Sequence, residues 1–289
     1  MHTFQYRTAL KTVRSTTSCA AAVPVSDFSG SMPAAVQPKT GSPDGMAFNG
    51  YKSVGKVFFK IDGLWKEFCT AKTINSKHPP RGDSMLILTA AHCLDGTFFR
   101  EPYIDTQFVF APDWINGKTP YKVWSVSNIW VFSQWLECPV PVMDCHEDPI
   151  DDYTIMKVGP INGKNIAYYT GANGGAANEP QSFQNIQIVG YVQGKPRPWR
   201  AFTNTVTVTE NHQPFRRGEA SGLGPGTSGG GWFYGFSARE GVGTLIGDTG
   251  GWDQGGPNSG IPSYSDVWDD NFLRLDHVAA KSECKKKCG

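Results

Sequence analysis

The feature of this 289-residue chain that most restricts its fold is a succession of short apolar or alternating runs, each closed by turn residues, with helical periodicity only near the end. A first series covers residues 56–61, 64–74, 85–89, 107–111, 122–131 and 153–158. Short runs bounded by Gly, Pro, Asn and Asp are the mark of strands, and six in succession fit one antiparallel barrel or sandwich. After the Gly159-Pro160 break, and around a Gly-, Ala- and Asn-rich stretch at 171–178, a second series follows at 165–170, 185–192, 199–209, 232–236 and 243–247. The 33 Gly and 20 Pro supply the turns that so many reversals require. The one stretch with helical spacing comes last: Asp269 or Asp270 can cap it, and Phe272, Leu275 and Val278 or Ala279 recur on one face. The expectation is an all-β chain of two β units with a C-terminal helix.

Residues 1–48 differ in texture, being rich in Ala, Pro, Ser, Thr and Gly with little periodicity, and read as a leader or propeptide-like tail and linker. The remaining 49–289 divides into a first β unit at 49–159, a second at 160–268, and a helix and tail at 269–289. With 39% apolar and 12% aromatic residues the chain can bury one large core or two modest ones. A net charge of +1 gives no reason to expect nucleic acid or an anionic membrane as partner. No apolar run approaches the roughly 18 residues of a membrane span.

Seven cysteines stand at 19, 69, 93, 138, 145, 284 and 288, without the paired CxxC spacing of a zinc site. Disulfides are the expectation. With Cys19 set aside in the tail, Cys69, Cys93, Cys138, Cys145, Cys284 and Cys288 could pair in fifteen ways, nearest-neighbour pairing being the simplest. Disulfides imply an oxidising compartment. Arg7, Lys11 and Arg14 precede an apolar stretch at 19–25 that is shorter than a normal signal core.

Three stretches can carry chemistry. In Gly226-Thr227-Ser228-Gly229-Gly230 one hydroxyl sits among glycines that let backbone approach a ligand, yet a serine needs an adjacent base to become a nucleophile. Leu86-Ile87-Leu88-Thr89-Ala90-Ala91-His92-Cys93 runs an apolar strand into two alanines and a histidine, the side chain whose ordinary pKa suits proton transfer near neutrality. Asp152-Tyr153-Thr154-Ile155-Met156-Lys157-Val158 starts a strand with an acid able to orient an imidazole, with Asp151 as the adjacent rival. Read alone, each has an ordinary structural explanation: a turn, a packed core histidine, a solvated strand end.

Together they resemble the chymotrypsin-like serine protease family. Leu88-Thr89-Ala90-Ala91-His92-Cys93, the Asp152 segment and Gly226-Thr227-Ser228-Gly229-Gly230 are similar to its three motifs. The order His, Asp, Ser is the order of that family and differs from those of subtilisin and the α/β-hydrolases. Gly55-Lys56-Val57-Phe58-Phe59, Phe68-Cys69-Thr70-Ala71 and Gly190-Tyr191 look most like bacterial and fungal trypsin-like and glutamyl-endopeptidase-like members. The resemblance implies two antiparallel six-stranded barrels and a secreted, monomeric serine endopeptidase acting on protein or peptide. It implies His92 as base and acid, Asp152 as orienter, Ser228 as nucleophile, an oxyanion hole at the amides of Gly226 and Ser228, and no cofactor or metal.

Thr227 stands where many animal members have Asp, so activation by a new N-terminal ammonium is not expected, and processing between residues 20 and 53 would only trim a tail. Gly222, Asp248, Thr249 and Gly250 are expected to wall the substrate pocket. Gly222 occupies the position of a trypsin-type acid, which leaves Glu219 or Asp248 as the nearest carboxylates and Thr249 as a possible glutamyl-type contact. The Asp144, His146, Glu147, Asp148 cluster reads as a solvated loop rather than a metal site. Arg81-Gly82-Asp83 reads as a turn, Arg216-Arg217 as solvated surface, and no Asn-x-Ser/Thr acceptor occurs. The rival readings are a catalytically silent homologue serving as a binding or adhesion module, and an esterase on another fold.

Overall fold

The first series of runs closes on itself. In the computed structural model, which describes residues 10–14, 43–61, 64–76, 84–94, 107–135, 150–179, 182–237, 239–257 and 261–281, two short strands, β1 (Leu10–Arg14) and β2 (Met46–Ala47), come before it. The series itself forms β3 (Val54–Ile61), β4 (Leu64–Asn75), β5 (Leu86–Thr89), β6 (Phe108–Pro112), β7 (Trp124–Phe132) and β8 (Thr154–Val158). They pair antiparallel in the order β4-β3-β6-β7-β8-β5, and β5 returns to β4 to complete a six-stranded barrel. Closure removes the edges that an open sheet would present for aggregation. Val57, Phe110, Trp124, Ile129, Trp130, Ile155 and Met156 are buried in an apolar cluster that covers both faces of its wall.

The second series supplies β9 (Asn173–Gly175), β10 (Phe183–Gly190), β11 (Trp199–Glu210), β12 (Gln213–Gly218), β13 (Gly231–Ser237), β14 (Val242–Asp248) and β15 (Ser263–Asp266). Six of these run antiparallel in the order β15-β12-β11-β10-β13-β14. The two ends meet where Gly250 N donates to Tyr264 O at 3.1 Å and Asp248 N to the Ser265 hydroxyl at 2.9 Å. A smaller core of Ile186, Ile188, Ala201, Ala220, Leu223, Trp232 and Ile246 fills this unit. β9 is parallel to both β14 and β4 and joins the two units.

The run at 165–170, expected as a strand, is instead a short helix, α1 (Ile166–Thr170). Its buried side chains, Ile166, Ala167 and Thr170, recur at helical spacing, and Gly171 ends it at φ +69. Five residues are too few for periodicity to separate the two states. β12 and β15 were not among the expected runs, since Phe215 is the only large apolar residue of the one and Tyr264 of the other. Arg216, read as solvated, is fully buried in β12, its guanidinium 4.8 Å from the Phe183 ring.

The last helix, α2 (Asp270–Lys281), lies where its spacing placed it. The Asp269 carboxylate accepts from Asn271 N at 2.8 Å and caps the first turn. Phe272, Leu275 and Ala279 are buried, and Phe272 stacks on Trp268 at 4.0 Å and meets Tyr153 at 5.5 Å. The helix thereby crosses back to the strand that Asp152 precedes. Within residues 1–48, β1 pairs with β7, β2 pairs with β11, and Asp44 bridges to Ser221. Cys69 and Cys93 are joined by a disulfide. Cys138, Cys145, Cys284 and Cys288, the cluster at 144–148 and residues 81–83 lie outside the described residues.

Candidate active site

β5 ends at Thr89, and Ala91–Leu94 form a single 3-10 turn whose four residues are all buried, which fixes His92 at the mouth of the first barrel. Ala90 and Ala91 allow that tight turn, and the bond from Cys93 to Cys69 ties it to β4. His92 Nδ1 lies 2.7 Å from Asp152 Oδ2, and His92 N donates to Oδ1 at 2.8 Å. A third donor, Gly251 N, reaches Oδ2 at 2.7 Å. A fully buried carboxylate is costly unless its lone pairs are met, and here two amides and an imidazole meet them. The other ring nitrogen, Nε2, does not face the carboxylate.

Of the two adjacent acids, Asp151 is turned away. Its backbone lies at φ +57, and its carboxylate takes the Tyr153 hydroxyl at 2.7 Å and the Asn271 amide at 3.1 Å. Burial, then the charge of Asp269, pushes the Asp151 carboxyl up to about 6, against the hydrogen bonds from Tyr153 and Asn271.

The loop bearing Ser228 is pinned by its carbonyls. On β4, Thr70 N donates to Ser228 O at 2.8 Å, Thr70 Oγ1 to Gly226 O at 2.9 Å, and Lys72 Nζ to Gly229 O at 3.0 Å. Gln193 N holds Pro225 O and Gly230 N holds Thr227 O, each at 2.7 Å. Because a trans peptide is planar, fixing those two carbonyls aims the amides of Gly226 and Ser228 in the opposite direction. Among the described residues neither amide meets a protein acceptor. Gly229 has φ +71, and a Cβ there would stand 2.7 Å from Ala90 N as well as against Thr89 Oγ1 and Thr70 O. The loop therefore abuts the backbone two residues before His92, while the Ser228 side chain stays partly exposed.

The four expected pocket residues do not behave alike. Gly222 is exposed at φ +72, beside Trp199 and Gly45. Gly250 is buried behind the acid, where an added Cβ would lie 2.8 Å from Asp152 Oδ2. Thr249 is buried and its hydroxyl accepts from Trp232 Nε1 at 3.2 Å. Asp248 is fully buried and faces Lys72 Nζ at 3.3 Å. Glu219 is exposed and paired with Arg217 at 2.7 Å.

Two acids and a lysine that the motifs do not mark surround this site. Asp266 Oδ2 accepts from Asp152 N at 2.6 Å. Burial, then the charges of Asp152, Asp151 and Asp248, holds the Asp266 carboxyl well above the usual range, against the bond from Asp152 N. Burial and Asp152 push Asp248 up to about 6, while Lys72 and His92 pull the other way. Burial lowers Lys72 to about 8 despite Asp248. The sequence signal for Lys72 and Asp266 was weak: a polar residue in a strand ordinarily marks the solvent face.

No protein-family model and no curated protein matches the sequence. Solved structures do match. Protease Anisep from Arthrobacter nicotinovorans superposes with a TM-score of 0.64 at 19% identity, over 82% of this chain and 100% of that one. The thermostable serine protease AL20 from an extremophilic microorganism gives 0.61 at 20% identity, over 80% and 98%. A Glu endopeptidase gives 0.56 at 15% identity, over 82% and 97%. The chain thus has the chymotrypsin-like fold of bacterial serine proteases, all-β with one C-terminal helix.

Proposed function

We propose that this chain is a secreted serine endopeptidase, a monomer that hydrolyses protein or peptide through an acyl-enzyme. The observation that carries the reading is the Asp152 carboxylate, which takes both His92 Nδ1 and His92 N while the Ser228 loop is pinned against Thr70 and Ala90. With Nδ1–H directed to Asp152, His92 Nε2 accepts the Ser228 proton as Oγ attacks the scissile carbonyl. The oxyanion that forms is received by the amides of Gly226 and Ser228, and loss of one such donor typically costs about 10²–10³ in rate. His92 then gives its proton to the leaving amine, and water repeats the sequence on the acyl-enzyme. No step draws on a cofactor. The Cys69–Cys93 disulfide supports an oxidising compartment, and the neighbours are proteases.

The test is labelling by a fluorophosphonate probe, which forms a Ser Oγ–phosphorus bond and expels fluoride only at an activated serine. Native protein is expected to label and Ser228→Ala and denatured protein are not; turnover of amide as well as ester substrates then distinguishes a peptidase from an esterase. Folded, disulfide-intact protein that does not label would leave the silent binding homologue as the reading.

A further inference from the structure

The carbonyls of the Ser228 loop are held from one edge of β4 by two residues, Thr70 and Lys72. A threonine and its amide are ordinary donors for this purpose. A lysine that is fully buried is not, because taking an ammonium out of water costs several kcal/mol unless it is paired. Its ion partner is Asp248 at 3.3 Å, a carboxylate from the other barrel, itself fully buried. Besides this charge pair, Lys72 Nζ donates to Gly229 O at 3.0 Å. Gly229 is the residue after Ser228, and its own N is held by Thr249 O at 2.7 Å, one residue beyond Asp248. Two barrels therefore grip a single glycine, one at its amide and one at its carbonyl, with the countercharge for the lysine on the barrel that holds the amide.

We propose that Lys72 is a positioning residue for the nucleophile: its ammonium, kept in place by Asp248 across the barrel interface, fixes the Gly229 carbonyl and so the orientation of Ser228 and its amide. The inference rests on the serine-protease reading above. Asp248 serves as the anchor of Lys72. The donor survives loss of the lysine's charge, since a neutral amine still offers N–H to Gly229 O.

The experiment compares the wild type with the double variant Lys72→Met/Asp248→Asn, which removes the donor to Gly229 and leaves no unpaired charge in the interior, a change that folded proteins tolerate. Asp248→Asn alone, which keeps the lysine and removes its anchor, is expected to fall between the two. Fluorophosphonate labelling is followed to its endpoint at several probe concentrations, giving a maximal rate, a half-saturating concentration and a stoichiometry. The expected result is a maximal rate about 10- to 100-fold lower in the double variant, the scale set by small misplacements of reacting groups, with stoichiometry and half-saturation unchanged. A merely structural role would lower the stoichiometry and leave the rate per active molecule alone. Equal maximal rates in the wild type and the double variant, or a lower endpoint at an unchanged rate, overturn the proposal. Should the double variant not fold, the wild type is compared with Asp248→Asn, and an unchanged maximal rate there overturns the proposal. A wild type that does not label at Ser228 overturns the serine-protease reading and this inference with it, whereas a labelled wild type matched by the double variant overturns this inference alone.

Discussion

Replacing Asp266 by Asn should stabilise the protein by an amount that grows with pH. The carboxyl is buried among Asp152, Asp151 and Asp248, and its proton is held well above the ordinary carboxylate range by burial first and by those charges second. In the unfolded chain the same group releases its proton near pH 3.9. A raised folded value means that the contribution of Asp266 to stability is fully present below about 3.9 and is lost as pH rises toward the folded value. Asparagine keeps the oxygen that Asp152 N needs at 2.6 Å and has nothing to titrate. Relative to wild type, Asp266→Asn should therefore gain stability from pH 4 through pH 5 to pH 6, with a slope of up to about 1.4 kcal/mol per pH unit while the folded carboxyl keeps its proton. Any difference in packing between the two side chains adds a constant offset and leaves the slope intact. Urea unfolding followed by tryptophan fluorescence at these three pH values measures it. A difference that is flat with pH, or that falls as pH rises, would show that Asp266 is ionised in the folded protein and would refute the argument.

Asp152→Asn should leave the fold intact, because the amide oxygen can still accept one backbone N–H, yet slow fluorophosphonate labelling by about 10⁴-fold as the imidazole loses the partner that fixes its tautomer. Gly229→Ala should lose about 2–5 kcal/mol of unfolding free energy, from the left-handed backbone at φ +71 and from contacts with Ala90 N and Thr70 O that cannot swing aside; chemical denaturation reads the loss. Opening the Cys69–Cys93 bridge, with its separation of 24 residues, by a double substitution to Ser should cost about 3–4 kcal/mol on the loop-entropy scale, and a shift in thermal midpoint under non-reducing conditions checks it.

The strands of the first barrel were legible because each carries enough large apolar residues to be seen against its turns: residues 56–61 and 64–74 became β3 and β4 within two residues at either end. The second unit was harder to read. β12 offers one buried phenylalanine between Pro214 and Arg216, and β15 is Ser-Tyr-Ser-Asp, so neither has the alternation that marks a strand. Both are buried by their neighbours in the sheet, a tertiary effect that a window of sequence cannot carry. The residues at 165–170 erred the other way, with apolar content enough for either state and length too small to choose.

At the site, the distinction between legible and illegible follows the number of solvent-free faces. His92, Asp152 and Ser228 lie in loops or at strand ends, where a polar side chain among small residues stands out. Lys72 lies inside β4, and Asp248 and Asp266 are the last residues of β14 and β15; a polar side chain in a strand is ordinarily read as the wet half of an alternating pattern. That reading assumes one dry face per strand. β4 and β14 belong to different units, and where the two meet both Lys72 and Asp248 are fully buried. Lys72 and Asp248 are opposite charges facing each other, and each makes the other's burial possible. Neither residue alone carries the signal; it is the pair, 176 positions apart in sequence yet 3.3 Å apart in space, that turns two apparently solvated side chains into the support beneath Gly229.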